Sequence, residues 1–156
     1  MKGSNTMLNI AQQVTRLCGA AIVALGIAAT ATANAADLTI KHAQGETTVP
    51  ASPAKVLVFD LGTLDNLDRL GVKVTGVPSG ISFPEYLKKY QSDDYAKIGT
   101  LFEPDYEAVN AAEPDLIIVA GRSAAKYGEL SKIAPTIDLT TNAKNFIADT
   151  DRKSVV

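Results

Sequence analysis

The residues in this chain that could do chemistry are few. Its 156 residues include one histidine, His42, and one cysteine, Cys18. Neither a Ser-His-Asp nor a Cys-His arrangement can be assembled from that inventory at the edge of a sheet, because His42 falls on a predicted hairpin and Cys18 in the N-terminal segment. A lone histidine there reads as structural or solvent-facing. Capture of zinc or manganese wants several histidines or carboxylates converging on the ion, so no metal site is expected. Glycine strings for phosphate are missing too. Neither the P-loop nor the dinucleotide fingerprint occurs, and the turn after the first buried strand reads Asp60-Leu61-Gly62-Thr63. What is left is recognition of an anion. Arg122 follows Gly121 directly after the most apolar run, and its planar, permanently charged guanidinium can donate several hydrogen bonds to anionic oxygens. A surface arginine paired with a carboxylate such as Glu129 would explain the same residue, and spacing alone leaves the two readings level.

The elements that must position such a group follow from the hydrophobic pattern. Asp37 to His42 and Glu46 to Val49 alternate apolar and polar residues around Gln44-Gly45, which predicts an edge hairpin closed by Pro50 and Pro53. Val56-Leu57-Val58-Phe59 is instead a continuous apolar run, the pattern of a parallel strand buried on both faces. A helix is expected next, with Thr63 as its cap, Leu64, Leu67 and Leu70 on one face, and Gly71 as a left-handed stop. Val72 to Val77 reads as a strand. Glu103-Pro104-Asp105 predicts a second helix start, with proline in the first turn, Tyr106, Val109 and Ala112 as the buried stripe, and Pro114 as the stop. Leu116-Ile117-Ile118-Val119 is a second buried strand, Gly121-Arg122-Ser123 a turn, Tyr127, Leu130 and Ile133 the face of a further helix, and Thr136 to Leu139 a last strand. Between the halves, Ser79 to Asp94 carries turn residues and a short helical piece at Glu85 to Lys89. Alternating strands and helices predict an α/β fold: a doubly wound, mostly parallel sheet with helices on both faces. In such sheets ligands lie beyond the carboxyl ends of the strands, so the turns after Phe59, Val77, Lys97 to Gly99 and Val119 should line a site, with Leu61 and Gly62 among its residues.

Composition sets the outer limits. The apolar share of 46% and charged share of 21% are ordinary for one globular domain. Residues 1–35 read as a signal peptide: Lys2 and Arg16 are its positive region, Leu17 to Ala29 its apolar core, and Ala33-Asn34-Ala35 a small-x-small cleavage pattern, with the cut after Ala35. Cys18 lies at the very start of the apolar core, whereas a lipid-anchored cysteine follows it. The mature chain then has no cysteine, and export without disulfides means that stability must come from the α/β core. Without Lys2 and Arg16 the mature chain carries thirteen basic and seventeen acidic residues, a balance of −4, so the basic footprint of a nucleic-acid binder is missing.

Four stretches carry a resemblance: Ile40-Lys41-His42-Ala43-Gln44-Gly45, Val58-Phe59-Asp60-Leu61-Gly62, Gly99-Thr100-Leu101-Phe102-Glu103-Pro104-Asp105, and Pro114-Asp115-Leu116-Ile117-Ile118-Val119-Ala120-Gly121-Arg122-Ser123-Ala124-Ala125-Lys126-Tyr127. From Leu38 to about Phe146 the chain resembles the N-terminal lobe of periplasmic siderophore-binding proteins of iron ABC transporters, the two-lobed class joined by a long rigid helix. The resemblance implies a ferric siderophore as ligand, no cofactor, no enzymatic activity, and a monomer that meets the membrane only through an ABC transporter permease. It also implies that the arginine matching Arg122 touches the siderophore, that the loop matching Thr100, Leu101 and Phe102 faces the same cleft, and that the glutamate matching Glu107 pairs with an arginine of the permease. Taken alone, an acidic residue in a first helical turn needs no partner to explain Glu107. A ferric tris-catecholate is a trianion with flat aromatic faces, which suits guanidinium donors and rings such as Phe102 and needs no protein ligand to iron.

The same resemblance sets expectations about extent. Residues 36–150 would be one truncated lobe, lacking the connecting helix and the second lobe, so that weak or no binding is expected of the chain alone. A further helix is expected to begin at Phe146-Ile147-Ala148. Residues 151–156 read as a non-native tail, since Asp151-Arg152-Lys153-Ser154-Val155-Val156 is what GAT CGG AAG AGC GTC GTG encodes, a string resembling a sequencing-library adapter. Two other readings stay open at this level: a receptor of the same architecture for haem or cobalamin, and a flavodoxin-like enzyme or nucleotide module binding phosphate or flavin at the Gly62 turn.

Overall fold

The computed structural model describes residues 36–141. The expected signal peptide at 1–35, the helix expected from Phe146 and the tail at 151–156 lie outside the described residues.

The alternating segments pair as read. Strands β1 (Leu38–His42) and β2 (Gly45–Val49) run antiparallel in the register Leu38↔Val49 to His42↔Gly45. This hairpin is a sheet of its own. It is tied to the main sheet through the Ala43 amide, which donates to the Asp138 carbonyl at 3.0 Å, and the Thr47 hydroxyl, which donates to the Thr136 carbonyl at 2.9 Å. His42 is a packed structural residue. Its Nδ1 accepts from the Gln44 amide at 3.2 Å, its Nε2 meets the Thr47 hydroxyl at 2.8 Å, and its ring lies 5.4 Å from that of Tyr127.

Five strands make the main sheet: β3 (Val56–Val58), β4 (Gly76–Val77), β5 (Ala96–Lys97), β6 (Leu116–Val119) and β7 (Thr136–Asp138), in the order β5-β4-β3-β6-β7 with every pair parallel. The two continuous apolar runs are its centre. Every residue of β3 and β6 is buried, because each strand is covered on both faces. Side chains alternate between two cores. Val56, Val58, Leu116 and Ile118 pack with Leu64 and Leu67 of helix α1 (Leu61–Arg69) and with Leu87 and Tyr90 of the 3₁₀ segment Glu85–Gln91. Leu57, Phe59, Ile117 and Val119 point the other way, onto Val109 of α2 (Tyr106–Ala111) and Leu130 of α3 (Tyr127–Leu130). Helices therefore cover both faces, and the doubly wound α/β expectation holds.

Several local expectations are corrected. The cap of α1 is Asp60, not Thr63. The Asp60 carboxylate accepts from both the amide and the hydroxyl of Thr63 at 2.7 Å each, which places Thr63 inside the first turn. Gly71 does take a left-handed conformation (φ 71°), but Leu70, at the C-cap, is left 55% exposed. The strand expected from Val72 forms only at Gly76–Val77, because the Val72 amide still bonds back to the Leu67 carbonyl at 2.9 Å. Helix α2 is capped by Asp105, which accepts from the Ala108 amide at 3.0 Å. Pro104 stands before that helix rather than in its first turn, bridged to Gly99, and Tyr106 is 38% exposed rather than buried.

Candidate functional site

The strand order reverses between β3 and β6: the chain runs outward through β4 and β5 on one side and through β7 on the other. At such a switch point the connections leave in opposite directions and open a crevice at the carboxyl ends of the two central strands. A cavity of about 330 Å³ lies there, lined by Phe59, Asp60, Leu61, Gly62, Leu101, Ala120, Gly121 and Arg122. Four residues expected from the sequence, Leu61, Gly62, Leu101 and Arg122, thus meet around one opening.

Each wall is held by its local sequence. The first follows β3, where the Phe59 amide donates to the Ile118 carbonyl at 2.8 Å and Asp60 caps α1 at once. The second follows β6, where the chain bends into a 3₁₀ segment, Gly121–Lys126, with Gly121 at φ 49°. The Gly121 amide donates to the Thr140 hydroxyl at 3.0 Å, and that hydroxyl in turn donates to buried Asp138. Arg122 is exposed, and among the described residues it forms no ion pair. Glu129, the carboxylate weighed as its partner, is paired with Lys132 at 2.7 Å instead. The guanidinium is the cation among the lining residues, and an anion entering the crevice would meet it.

The third wall is the turn at Gly99–Asp105. Gly99 has φ 92°, and a Cβ there would stand 2.3 Å from the Asp105 nitrogen and 2.6 Å from the Glu103 carbonyl oxygen, so only glycine fits. Leu101 is buried and reaches the cavity. Thr100 and Phe102 are not among the lining residues. The Thr100 hydroxyl shapes its own turn, accepting from the amides of Phe102 at 3.3 Å and Glu103 at 3.0 Å, while the Phe102 ring is 59% exposed. Glu107 sits in the first turn of α2, exposed and apart from the lining.

Two residues shape the crevice without having been singled out from the sequence. Asp60 stood only within the turn Asp60-Leu61-Gly62-Thr63, and in the structure it caps α1. Ser123 could be read only as part of a turn, yet it is fully buried and its hydroxyl donates to the Phe59 carbonyl at 3.1 Å. A larger cavity of about 470 Å³ lies beside Asp68, Val72, Thr75, Lys89 and Tyr90 and holds no expected site residue. Three of its polar groups serve each other. Lys89 bonds to Asp68 and holds that carboxyl below its ordinary value, and burial raises the Tyr90 hydroxyl, which donates to Asp68 at 2.8 Å. Among the described residues no group of three or more histidines, cysteines or carboxylates gathers as a metal site, and no helix is long and apolar enough to cross a membrane.

Known proteins repeat this architecture. Over 114 residues, 70% of this chain and 36% of the relative, the sequence is 45% identical to the petrobactin-binding protein YclQ of Bacillus subtilis. It is 32% identical over 109 residues to the ferric-anguibactin-binding protein FatB of Vibrio anguillarum, covering 69% of this chain and 34% of the relative. The crystal structure of YclQ superposes with a TM-score of 0.73 at 41% identity, covering 77% of this chain and 43% of that one. The periplasmic catecholate-siderophore binding protein VctP of Vibrio cholerae superposes with a TM-score of 0.73 at 39% identity over the same shares of the two chains. The chain spans about a third of the length of the curated relatives it matches. The model of one family matches residues 56–153, from the first buried strand through all three walls of the crevice, and on that match the chain belongs to the periplasmic binding protein family.

Proposed function

We propose that this chain is the N-terminal lobe of the substrate-binding component of an ABC importer, capturing a ferric siderophore and delivering it to a membrane permease. One observation carries the reading: Arg122 stands exposed at the crevice between β3 and β6, unpaired by any carboxylate among the described residues. The relatives' names, petrobactin, anguibactin and catecholate siderophore, give the class of ligand. A catecholate complex suits this site, since its oxygens take hydrogen bonds from a guanidinium and its flat rings can stack on Phe102 and lie along Leu101. Leu61 and Gly62 supply the remaining rim, Thr100 acts by shaping the turn that carries Leu101, and Glu107 is the permease-docking acid. The lobe acts in the periplasm after export, as a monomer and not as an enzyme.

One guanidinium cannot neutralise a trianion, so the chain alone binds weakly. The test is an NMR titration of the ¹⁵N-labelled chain with the gallium(III) complex of a hexadentate tris-catecholate, a diamagnetic stand-in for the ferric form. Weak, saturable shifts are expected at Asp60, Leu61, Gly62, Leu101, Gly121 and Arg122, and Arg122→Ala should abolish them. Shifts that bypass the crevice, or that survive the substitution, would overturn the reading, and sub-micromolar affinity would overturn the weak binding. A flavin or a nucleoside phosphate moving the Gly62 amide instead would favour the flavodoxin-like alternative, and haem or cobalamin binding at the same crevice would favour a receptor for those ligands.

A further inference from the structure

We propose that Ser123 is the positioning residue of the crevice: its hydroxyl, sealed between the ends of β3 and β6, sets where the Arg122 guanidinium stands. This rests on the reading of Arg122 as the ligand-facing cation.

A serine in a solvent-facing turn is normally wet. Ser123 is 0% exposed, so its hydroxyl must find partners inside the protein, because a buried unbonded hydroxyl is destabilising. It finds them on both strands. The hydroxyl accepts from the Ala120 amide at 3.1 Å, at the end of β6, and its one proton faces two carbonyls at 3.1 Å, that of Phe59 at the end of β3 and that of Ala120. Phe59 directly precedes Asp60, Leu61 and Gly62, and Ala120 directly precedes Gly121 and Arg122, so one hydroxyl couples the two walls at their roots.

Arg122 is bracketed as a result. The residue before it is tied through the Gly121 amide to the Thr140 hydroxyl at 3.0 Å, and the residue after it is held by its buried hydroxyl between the ends of the two central strands. A long flexible arginine loses rotamer freedom when it engages a ligand, and a fixed backbone beneath it lowers that loss. A purely architectural role for Ser123 makes a different prediction: removing the hydroxyl would weaken the fold in general and would not act through Arg122.

The experiment compares Ser123→Ala and the near-isosteric Ser123→Cys, whose thiol is a weak donor, with the parent chain. In the ligand-free chain, ¹⁵N relaxation should show Gly121 to Ala124 losing order in Ser123→Ala, and less so in Ser123→Cys, while α1 and the β1–β2 hairpin keep theirs. Binding of the gallium(III) tris-catecholate should weaken about fivefold in Ser123→Ala, the scale of one lost hydrogen bond, and should be partly rescued in Ser123→Cys. Unchanged order at Gly121 to Ala124, or binding by Ser123→Ala equal to that of the parent, would overturn the positioning role. A fall in order without any binding by the parent chain would instead sink the ligand reading and leave the positioning of Arg122 standing.

Discussion

The Lys126 ammonium reaches both carboxylate oxygens of Glu103, at 3.1 and 3.0 Å, and so clasps the segment that carries Arg122 to the turn that carries Leu101. The hydrogen bond to Glu103 raises the Lys126 pKa above its ordinary 10.5. A group raised on folding stabilises the native state fully below its unfolded value, and that contribution is lost as the pH climbs through the folded value, so this clasp loosens only above about pH 10.5. In Glu103→Gln the Lys126 titration followed by NMR should fall back toward 10.5. An unchanged midpoint would mean that the clasp does not persist in solution.

Gly99→Ala should destabilise the chain by about 2 kcal/mol in urea unfolding, since alanine at a positive φ is strained and its methyl would collide with backbone rather than with a movable side chain. Gly128→Ala is the matched control. It lies in α3 with nothing within 4 Å of the added Cβ, and should be neutral or stabilising by up to about 1 kcal/mol. Equal stabilities for the two variants would refute the close approach at Gly99.

What could be read from the sequence alone was whatever depends on near neighbours or on burial of a whole segment. Val56–Phe59 and Leu116–Val119 announced themselves because a strand covered on both faces has no polar side to show. Their turns, and with them Leu61, Gly62 and Arg122, followed from the rule that ligands gather beyond strand ends. The start of α1 was misplaced because Asp60 and Thr63 are both good caps, and only their mutual hydrogen bond decides which one stands outside the helix. Ser123 was legible only as a turn residue, with nothing to mark it as buried. Its partner Phe59 is 64 residues away, and a contact that distant appears only once the sheet is assembled. Thr100 is the converse case: a likeness to the family points it at the ligand, while local geometry turns its hydroxyl back onto the amides of its own turn.

The cluster at Asp68 should leave a mark on acid stability. Its carboxyl is held below 3.8, first by the hydrogen bond from Lys89 and then by that from the Tyr90 hydroxyl, against the opposing pull of desolvation. A depressed carboxylate stabilises the folded state fully above its unfolded value and ceases to do so as the pH falls through the folded one. The parent should therefore lose more stability than Asp68→Asn as the pH is lowered from about 5 to below 3.8. Parallel urea-stability curves for the two proteins across that window would exclude the effect.

Asp60 presents the sharpest conflict at the crevice, because a carboxylate lines an opening that is proposed to receive an anion. Its presence follows from the fold: the carboxylate accepts from the Thr63 amide and hydroxyl and starts the helix that covers one face of the sheet. Asparagine keeps an acceptor oxygen and ranks with aspartate as a cap, so Asp60→Asn should fold with nearly parental stability, whereas Asp60→Ala should lose about 1 kcal/mol. Removing the charge takes away a repulsion that the ligand feels, and Asp60→Asn should bind the gallium(III) tris-catecholate several-fold more tightly than the parent. The gain should shrink as salt is added, because a partly exposed charge is screened over a Debye length of about 8 Å at physiological ionic strength. Asp60→Ala should gain the same affinity if charge alone is at work, and less if the helix start it caps also holds Leu61 and Gly62 in place. A folded Asp60→Asn protein that bound the complex no better than the parent would show that the ligand's charge never approaches this wall, and the anion would then have to be placed outside the crevice.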